Sequence, residues 1–142
     1  LKEGEEIYLK RLKHYCRFEK KNIPEIKSKK KLSKAQLKKE EGHQILKQIK
    51  ESDHVVLLDE KGKDLSSVEF SLFMQKHAIS SNKNMTFIVG GAFGFSDEVY
   101  QRSNKLIRLS SLTFSHQMVR LFFLEQLYRA FTIQRGEPYH HA

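Results

Sequence analysis

The chain has a single cysteine, Cys16, among its 142 residues. An internal disulfide framework and a cysteine-built zinc cluster are therefore excluded, and the usage suits a reducing cytosol. No stretch reaches the roughly 18 uninterrupted apolar residues that a membrane-spanning helix needs. The opening segment LKEGEEIYLKRL is too charged for the apolar h-region of a secretory signal. Internal repeats and linker-like stretches are absent, which leaves one domain as the expectation. With 39% hydrophobic and 30% charged residues, the composition is that of a globular, soluble protein and not of a disordered one.

What the chain has in excess is positive charge. Lys and Arg number 26 against 17 Asp and Glu, a formal balance of +9. Residues 20–50 alone hold eleven Lys and three Glu, so the rest of the chain is nearly neutral. Such a segment, with KSKKKLSK (27–34) at its centre, fits either a patch that contacts phosphates by releasing counterions or a solvated helix face.

The pattern along the chain alternates helix and strand. Residues 1–13 set Ile7, Leu9 and Leu12 among charges, as in an amphipathic helix. Tyr15 to Ile26 reads as a strand ending near Pro24. Ser33 and Gln36 have capping-box spacing, and Leu37, Ile45, Leu46 and Ile49 follow as an apolar stripe. HVVLLD (54–59) is a short continuous apolar run of the kind buried on both faces of a sheet, and DEKG after it reads as a turn. Ser66 and Glu69 repeat the capping spacing ahead of Phe70, Phe73, Met74 and His77, which share one helix face. After the polar break SSNKN (80–84) comes a second buried strand, MTFIVG (85–90), then GGAFGF and a helix opened by Ser96, Asp97 and Glu98. LIRLS (106–110) reads as a short strand and 113–133 as containing the longest helix, stopped by Gly136 and Pro138. Strands alternating with helices predict an α/β domain with a parallel sheet.

Chemistry can reside in few places. Gly90, Gly91 and Gly94 follow a strand and precede a helix, where glycines let a backbone approach a ligand closely. The string lacks both the G-x-G-x-x-G fingerprint and the G-K-[ST] of a phosphate loop, so a purely structural turn fits as well. Phe93 and Phe95 supply either an apolar wall for a planar ligand or a cover for the sheet edge. Leu109-Ser110-Ser111-Leu112-Thr113-Phe114 suits a pocket that reads an adenine through backbone groups, or simply a helix entry capped by Thr113 or Ser115. His116 lies in the first turn of that helix, as a neutral acid–base group or a hydrogen-bonded structural histidine. Tyr139, His140 and His141 form a loose tail or an element that stacks on an unpaired base while Arg129 and Arg135 address phosphates. The histidines are dispersed, and none has metal-ligand spacing.

The segments VVLLDEKGKDLSS, FIVGGAFGFSDEV, LSSLTFSHQMVRLFFLEQLYRAF and RGEPYHH, in that order, resemble the RlmH family over nearly the whole chain from about Ile7. These are small SPOUT-class methyltransferases that methylate a pseudouridine of 23S ribosomal RNA. The resemblance implies a single α/β domain over 1–142, with a mainly parallel sheet flanked by helices and a C-terminal trefoil knot. It implies S-adenosylmethionine as cofactor, held by Leu58, by Gly90, Gly91 and Gly94, and by Leu109, Ser110, Ser111, Leu112, Thr113 and Phe114. It further implies a cytoplasmic homodimer acting on N3 of the pseudouridine in assembled ribosomes, without metal or membrane. Arg129, Tyr139 and His140 become the RNA-side residues, and His116 or His140, or water, takes the N3 proton. An RNA-binding homologue with impaired catalysis and a SPOUT enzyme with another RNA acceptor are the alternatives. Two departures stand out. Ser115 occupies the place of a family proline, and the family's first strand is absent from a sequence that starts at Leu1.

Overall fold

The computed structural model describes every residue except 27, 28, 81, 82, 92 and 142, and the backbone alone at 29 and 80. The elements in order are α1 (Lys2–Leu12), a single 3-10 turn (Lys29–Lys31), α2 (Lys34–Gln48), β1 (His54–Asp64), α3 (Ser67–Ser80), β2 (Met85–Val89), α4 (Asp97–Arg102), β3 (Lys105–Arg108) and α5 (His116–Gln134). They fall into two compact units: Leu1–Lys20 with Asp64–Asn82 and Leu109–Ala142, and Lys21–Lys63 with Lys83–Arg108.

The second unit holds the sheet, in the order β2-β1-β3. β1 is central because it has the longest apolar run: Val55, Val56 and Leu57 are fully buried, and Leu58 nearly so. Consecutive side chains of a strand face opposite ways, so a run buried at every position needs cover on both faces. β2 pairs with it in parallel, from His54 opposite Met85 to Leu58 opposite Val89. On one face Val55, Leu57 and Ile88 join Ile45 of α2 and Phe95 and Val99 beside and within α4. Burying each of these side chains contributes about 1.5–3 kcal/mol before conformational entropy is charged.

Local chemistry fixes where the helices of this unit begin. The Ser33 hydroxyl accepts from the Gln36 N–H at 3.2 Å while Gln36 Oε1 accepts from the Ser33 N–H at 2.9 Å, the reciprocal capping box that the spacing predicts. Ser96 caps α4, accepting from Val99 N, and Asp97 and Glu98 complement the helix dipole. Gly42 lets α4 come close, because a Cβ there would collide with the Ser96 hydroxyl. The Arg102 guanidinium donates to the carbonyls of Lys50 (2.9 Å) and Asp53 (3.0 Å), tying α4 to the approach to β1.

In the first unit α5 packs against α1 and α3, and Leu12, Phe70, Phe123, Leu124, Leu127 and Ala130 are buried. The Ser66–Glu69 capping box forms as its spacing predicts. The buried hydroxyl of Ser71 donates to the Ala130 carbonyl at 2.9 Å, so the α3–α5 contact leaves that polar group satisfied. The buried Glu5 carboxylate is compensated by Lys20 Nζ at 2.7 Å.

Two expectations are corrected. Residues 15–26 form no strand; the chain turns at 13–15 and then runs without regular structure. Tyr15 is held instead by its ring stacked on Phe131 at 5.8 Å and its hydroxyl donating to Glu137 at 2.8 Å. The apolar positions 15, 18, 23 and 26 lack the alternation that would give a strand one buried face. DEKG, read as a turn, instead continues β1 to Asp64. Smaller differences concern bounds: β3 covers 105–108, and α5 starts at His116 after a cap by Ser115. Parts of KSKKKLSK, SSNKN and GGAFGF lie outside the described residues.

Gly62 serves close approach within the extended strand. A Cβ there would lie 2.5 Å from the Ile107 carbonyl carbon and 2.7 Å from Arg108 N, and backbone atoms cannot step aside as a side-chain end can. Gly62→Ala is expected to destabilise the fold by about 1–3 kcal/mol, read from the midpoint of denaturant unfolding, whereas Gly42→Ala, which meets a movable serine side chain, costs less.

Candidate functional site

Parallel strands deliver their carboxyl ends to one edge of a sheet, where α/β folds bind ligands. Leu58 and Val89 are opposite each other in the register, so Leu58 lies beside the entry to the glycine turn. Gly91 and Gly94 form an antiparallel bridge, with the Gly94 N–H donating to the Gly91 carbonyl at 3.2 Å. Gly94 has φ +80°, a left-handed conformation that costs an L side chain about 1–2 kcal/mol. Gly90 accommodates the Phe95 ring, whose Cζ would be 2.9 Å from an added Cβ, and Gly91 lies against the Glu41 carboxylate. Phe95 is thus the structural cover of the turn, whereas Phe93 is exposed.

Asp59, the residue after Leu58, braces this turn from behind. It accepts from Tyr100 Oη at 2.5 Å and from the Lys61 N–H at 2.9 Å, and Tyr100 meets Phe95 edge-on at 5.9 Å. Burial first, and then the hydrogen bond to Asp59, push the Tyr100 phenol up to about 12 from its ordinary 10. Sequence reading passed over both residues. The acid follows the buried run directly and the tyrosine falls within a helix of only six residues, so no motif joins them.

The 109–114 segment belongs to the other unit and has no regular structure. Ser110 Oγ accepts from the Leu112 N–H at 3.0 Å, a hydroxyl turn that shapes the backbone. Ser111, Leu112 and Thr113 are exposed, Leu112 at 72%, while Phe114 meets Phe122 edge-on at 5.0 Å. Ser115 accepts from the Met118 N–H at 3.4 Å, so the serine starts α5 soundly in the proline's place. His116 is the first residue of that helix.

Three other candidates come together near the opposite end of α5. Arg129 Nε donates to Glu125 Oε1 at 3.0 Å, and Tyr139 Oη donates to the same oxygen at 3.0 Å. The guanidinium also lies 4.8 Å from the Tyr139 ring centroid and donates from Nη1 to His140 Nδ1 at 3.0 Å. Because arginine only donates, Nδ1 must accept, and the proton of the neutral ring is on Nε2. His140 in this arrangement accepts at Nδ1 and has an N–H to donate only at Nε2. The Glu125 bond, ahead of all other causes, pushes the Arg129 guanidinium up, while burial and then the contacts with Tyr8 and Glu125 push the Tyr139 phenol up. Tyr8 and Tyr128 complete the cluster, with Tyr128 edge-on to Tyr139 at 4.8 Å. Glu125 is the residue that sequence reading missed, although its i,i+4 spacing to Arg129 is a legible ion-pair signal. His116 stands apart from the cluster, since thirteen residues of helix span roughly 20 Å. Among the described residues no group of three His, Cys, Asp or Glu side chains could hold a metal, and no helix is long and apolar enough to cross a membrane.

A family model described as "Predicted SPOUT methyltransferase" matches residues 1–140. The chain belongs to the SPOUT methyltransferase family. Among similar SPOUT proteins, ribosomal RNA large subunit methyltransferase H of Christiangramia forsetii is 55% identical over 135 residues, 95% of this chain and 86% of its own length. The protein of the same name from Cytophaga hutchinsonii is 55% identical over 141 residues, 99% of this chain and 90% of its own. That from Bacteroides fragilis is 49% identical over 134 residues.

Two outcomes are expected. The folded state holds the Tyr100 proton more tightly than the unfolded chain, so this stabilisation is complete below pH 10 and lost as pH rises through about 12. Tyr100→Phe should remove that part of the alkaline loss in unfolding midpoints measured across pH. Glu125→Gln takes the charged acceptor from Arg129 and should cost about 1–3 kcal/mol in denaturant unfolding.

Proposed function

We propose that this protein methylates the large-subunit ribosomal RNA from S-adenosylmethionine, at N3 of a pseudouridine in 23S RNA of assembled ribosomes. The observation that carries the reading is the 55% identity to ribosomal RNA large subunit methyltransferase H over 99% of this chain. In this reading residues 1–142 are one domain, bearing the knot that the family resemblance implies, in the cytoplasm of a bacterium.

The residues proposed to hold the cofactor are Leu58, Gly90, Gly91, Gly94 and Leu109 to Phe114. Fit with that group is supported at the glycine turn, where Gly90 and Gly91 follow the carboxyl end of β2 beside Leu58 of β1 and Gly94 keeps a conformation that few other residues adopt. Bound there, the cofactor supplies a methyl group that its sulfonium has already made electrophilic. The protein's contribution is then alignment, which requires no metal and no nucleophilic side chain. The pseudouridine N3 would give up its proton as it bonds to the methyl carbon, whose bond to sulfur would break with the electron pair leaving on the sulfur as a neutral thioether. With His140 Nδ1 engaged by Arg129, His116 or water is the acceptor for that proton.

The dimer belongs to the same reading. Within one chain the Arg129, Tyr139 and His140 cluster lies roughly 20 Å along α5 from the 109–114 segment. A second copy, placing its C-terminal cluster at the cofactor of the first, brings the two sets of residues to one acceptor.

Radiolabelled methyl transfer to 23S RNA, in ribosomes from a strain lacking the modification, is expected with the wild-type protein and not with ribosomes already modified. Absence of saturable S-adenosylmethionine binding in calorimetry would overturn the assignment. His116→Ala should lower the single-turnover rate and change its pH profile; an unchanged profile leaves water as the acceptor.

A further inference from the structure

Of the fifteen aromatic side chains, ten Phe and five Tyr, fourteen are buried or half-buried and Phe93 alone is exposed, at 40%. Its position is specific. It precedes Gly94 in the turn closed by the Gly91–Gly94 bridge, so its backbone is held while its ring meets solvent. Phe95, two residues on, is buried at 3%; the turn needs one of its two phenylalanines for packing, not both.

The neighbour of the exposed ring is a cation. Lys34 Nζ stands 5.3 Å from the Phe93 centroid, within the range of a cation–π contact. Lys34 is exposed, follows the Ser33 cap as the first residue of α2, and makes no ion pair among the described residues. Lys30 and Lys31, exposed in the preceding 3-10 turn, extend the positive charge from it along the chain. An aromatic face with ammonium groups beside it matches the two parts of an unpaired nucleotide, a π-surface and a phosphate.

We propose that Phe93 is a stacking platform for an unpaired nucleobase of the RNA substrate, with Lys34 addressing the adjoining phosphate. The inference rests on the ribosomal RNA reading above and adds a recognition residue to it. It also gives the lysine-rich segment a use: the part at Lys30–Lys34 is an approach for RNA to the glycine turn.

The test uses full-length Phe93→Ala, Phe93→Trp and Lys34→Ala proteins. Methyl transfer is measured against varied concentrations of ribosomes lacking the modification, S-adenosylmethionine affinity by calorimetry, and binding of a fluorescein-labelled single-stranded oligouridylate by anisotropy. Phe93→Ala should raise the ribosome KM and weaken oligouridylate binding about tenfold, in the range of one lost base–aromatic stack, with cofactor affinity within about twofold. Phe93→Trp should restore both. Lys34→Ala should weaken binding and reduce its salt dependence. Unchanged ribosome KM and oligouridylate binding in Phe93→Ala overturn the proposal. So does a loss of cofactor affinity as large as the rise in KM, which would place the ring against the cofactor. A change of mass in sedimentation would place it between two copies of the chain and overturn it equally. If the wild type transfers no methyl group but Phe93→Ala still weakens oligouridylate binding, the stacking role stands and the methyl-transfer reading fails.

Discussion

Four consecutive apolar side chains, Val55 to Leu58, are buried in the central strand, and the sheet is arranged around that constraint. A run of strand residues apolar at every position cannot lie at an edge or present one face to water. Placing it between β2 and β3 satisfies its backbone on both sides, and the core with α2 and α4 covers the side on which Val55 and Leu57 lie. The register with β2 then ends at Leu58 and Val89, which puts the glycine turn at the carboxyl edge. The position of the candidate site thus follows from where the apolar run stops. Asp59, the first polar residue after it, is also the residue that secures Tyr100.

The first unit is organised around an anion. Glu125 accepts from Arg129 and from Tyr139 with one oxygen, and through Arg129 it also fixes which nitrogen of His140 carries the proton. A carboxylate half-removed from water is stable only when its lone pairs are engaged, and the C-terminal segment supplies part of what engages it. The tail read from sequence as either loose or functional is therefore ordered by charge-assisted bonds and by the edge-on contact of Tyr139 with Tyr128. The same bonds set the plane of the Arg129 guanidinium.

Local rules were legible where local chemistry decides the outcome. Ser33–Gln36 and Ser66–Glu69 form the boxes their spacing predicts, and the continuous apolar run of β1 and the apolar segment of β2 became neighbouring strands. The failures have a common cause. Tyr15 to Ile26 has residues with strand propensity but no alternation, and Tyr15 is claimed by Phe131 and Glu137, more than a hundred positions away. The glycine in DEKG carries a turn signal, yet the approach of the Ile107 backbone requires it in a strand. Site residues divide in the same way. Gly90, Gly91 and Gly94 announce themselves by spacing; Asp59, Tyr100 and Glu125 matter through partners that no local pattern names. The family resemblance supplied what periodicity could not, by joining segments that have meaning only together.

Transfer of an already activated group places few demands on side-chain chemistry. The candidate residues are, in one unit, a glycine turn and, in the other, a hydroxyl-bearing segment. Where the reacting group is already activated, rate depends on how narrowly two reactants are held, and rigid backbone holds better than long side chains. The glycine turn is braced from behind: Phe95 fills the space under Gly90, and Tyr100 links Phe95 to Asp59. Charge is held in two ways. Lysines, long and flexible, are concentrated in the region 20–50. Arg129, by contrast, is held in one orientation by Glu125 beside the C-terminal histidine, because a planar guanidinium bonded at two points cannot turn as an ammonium can.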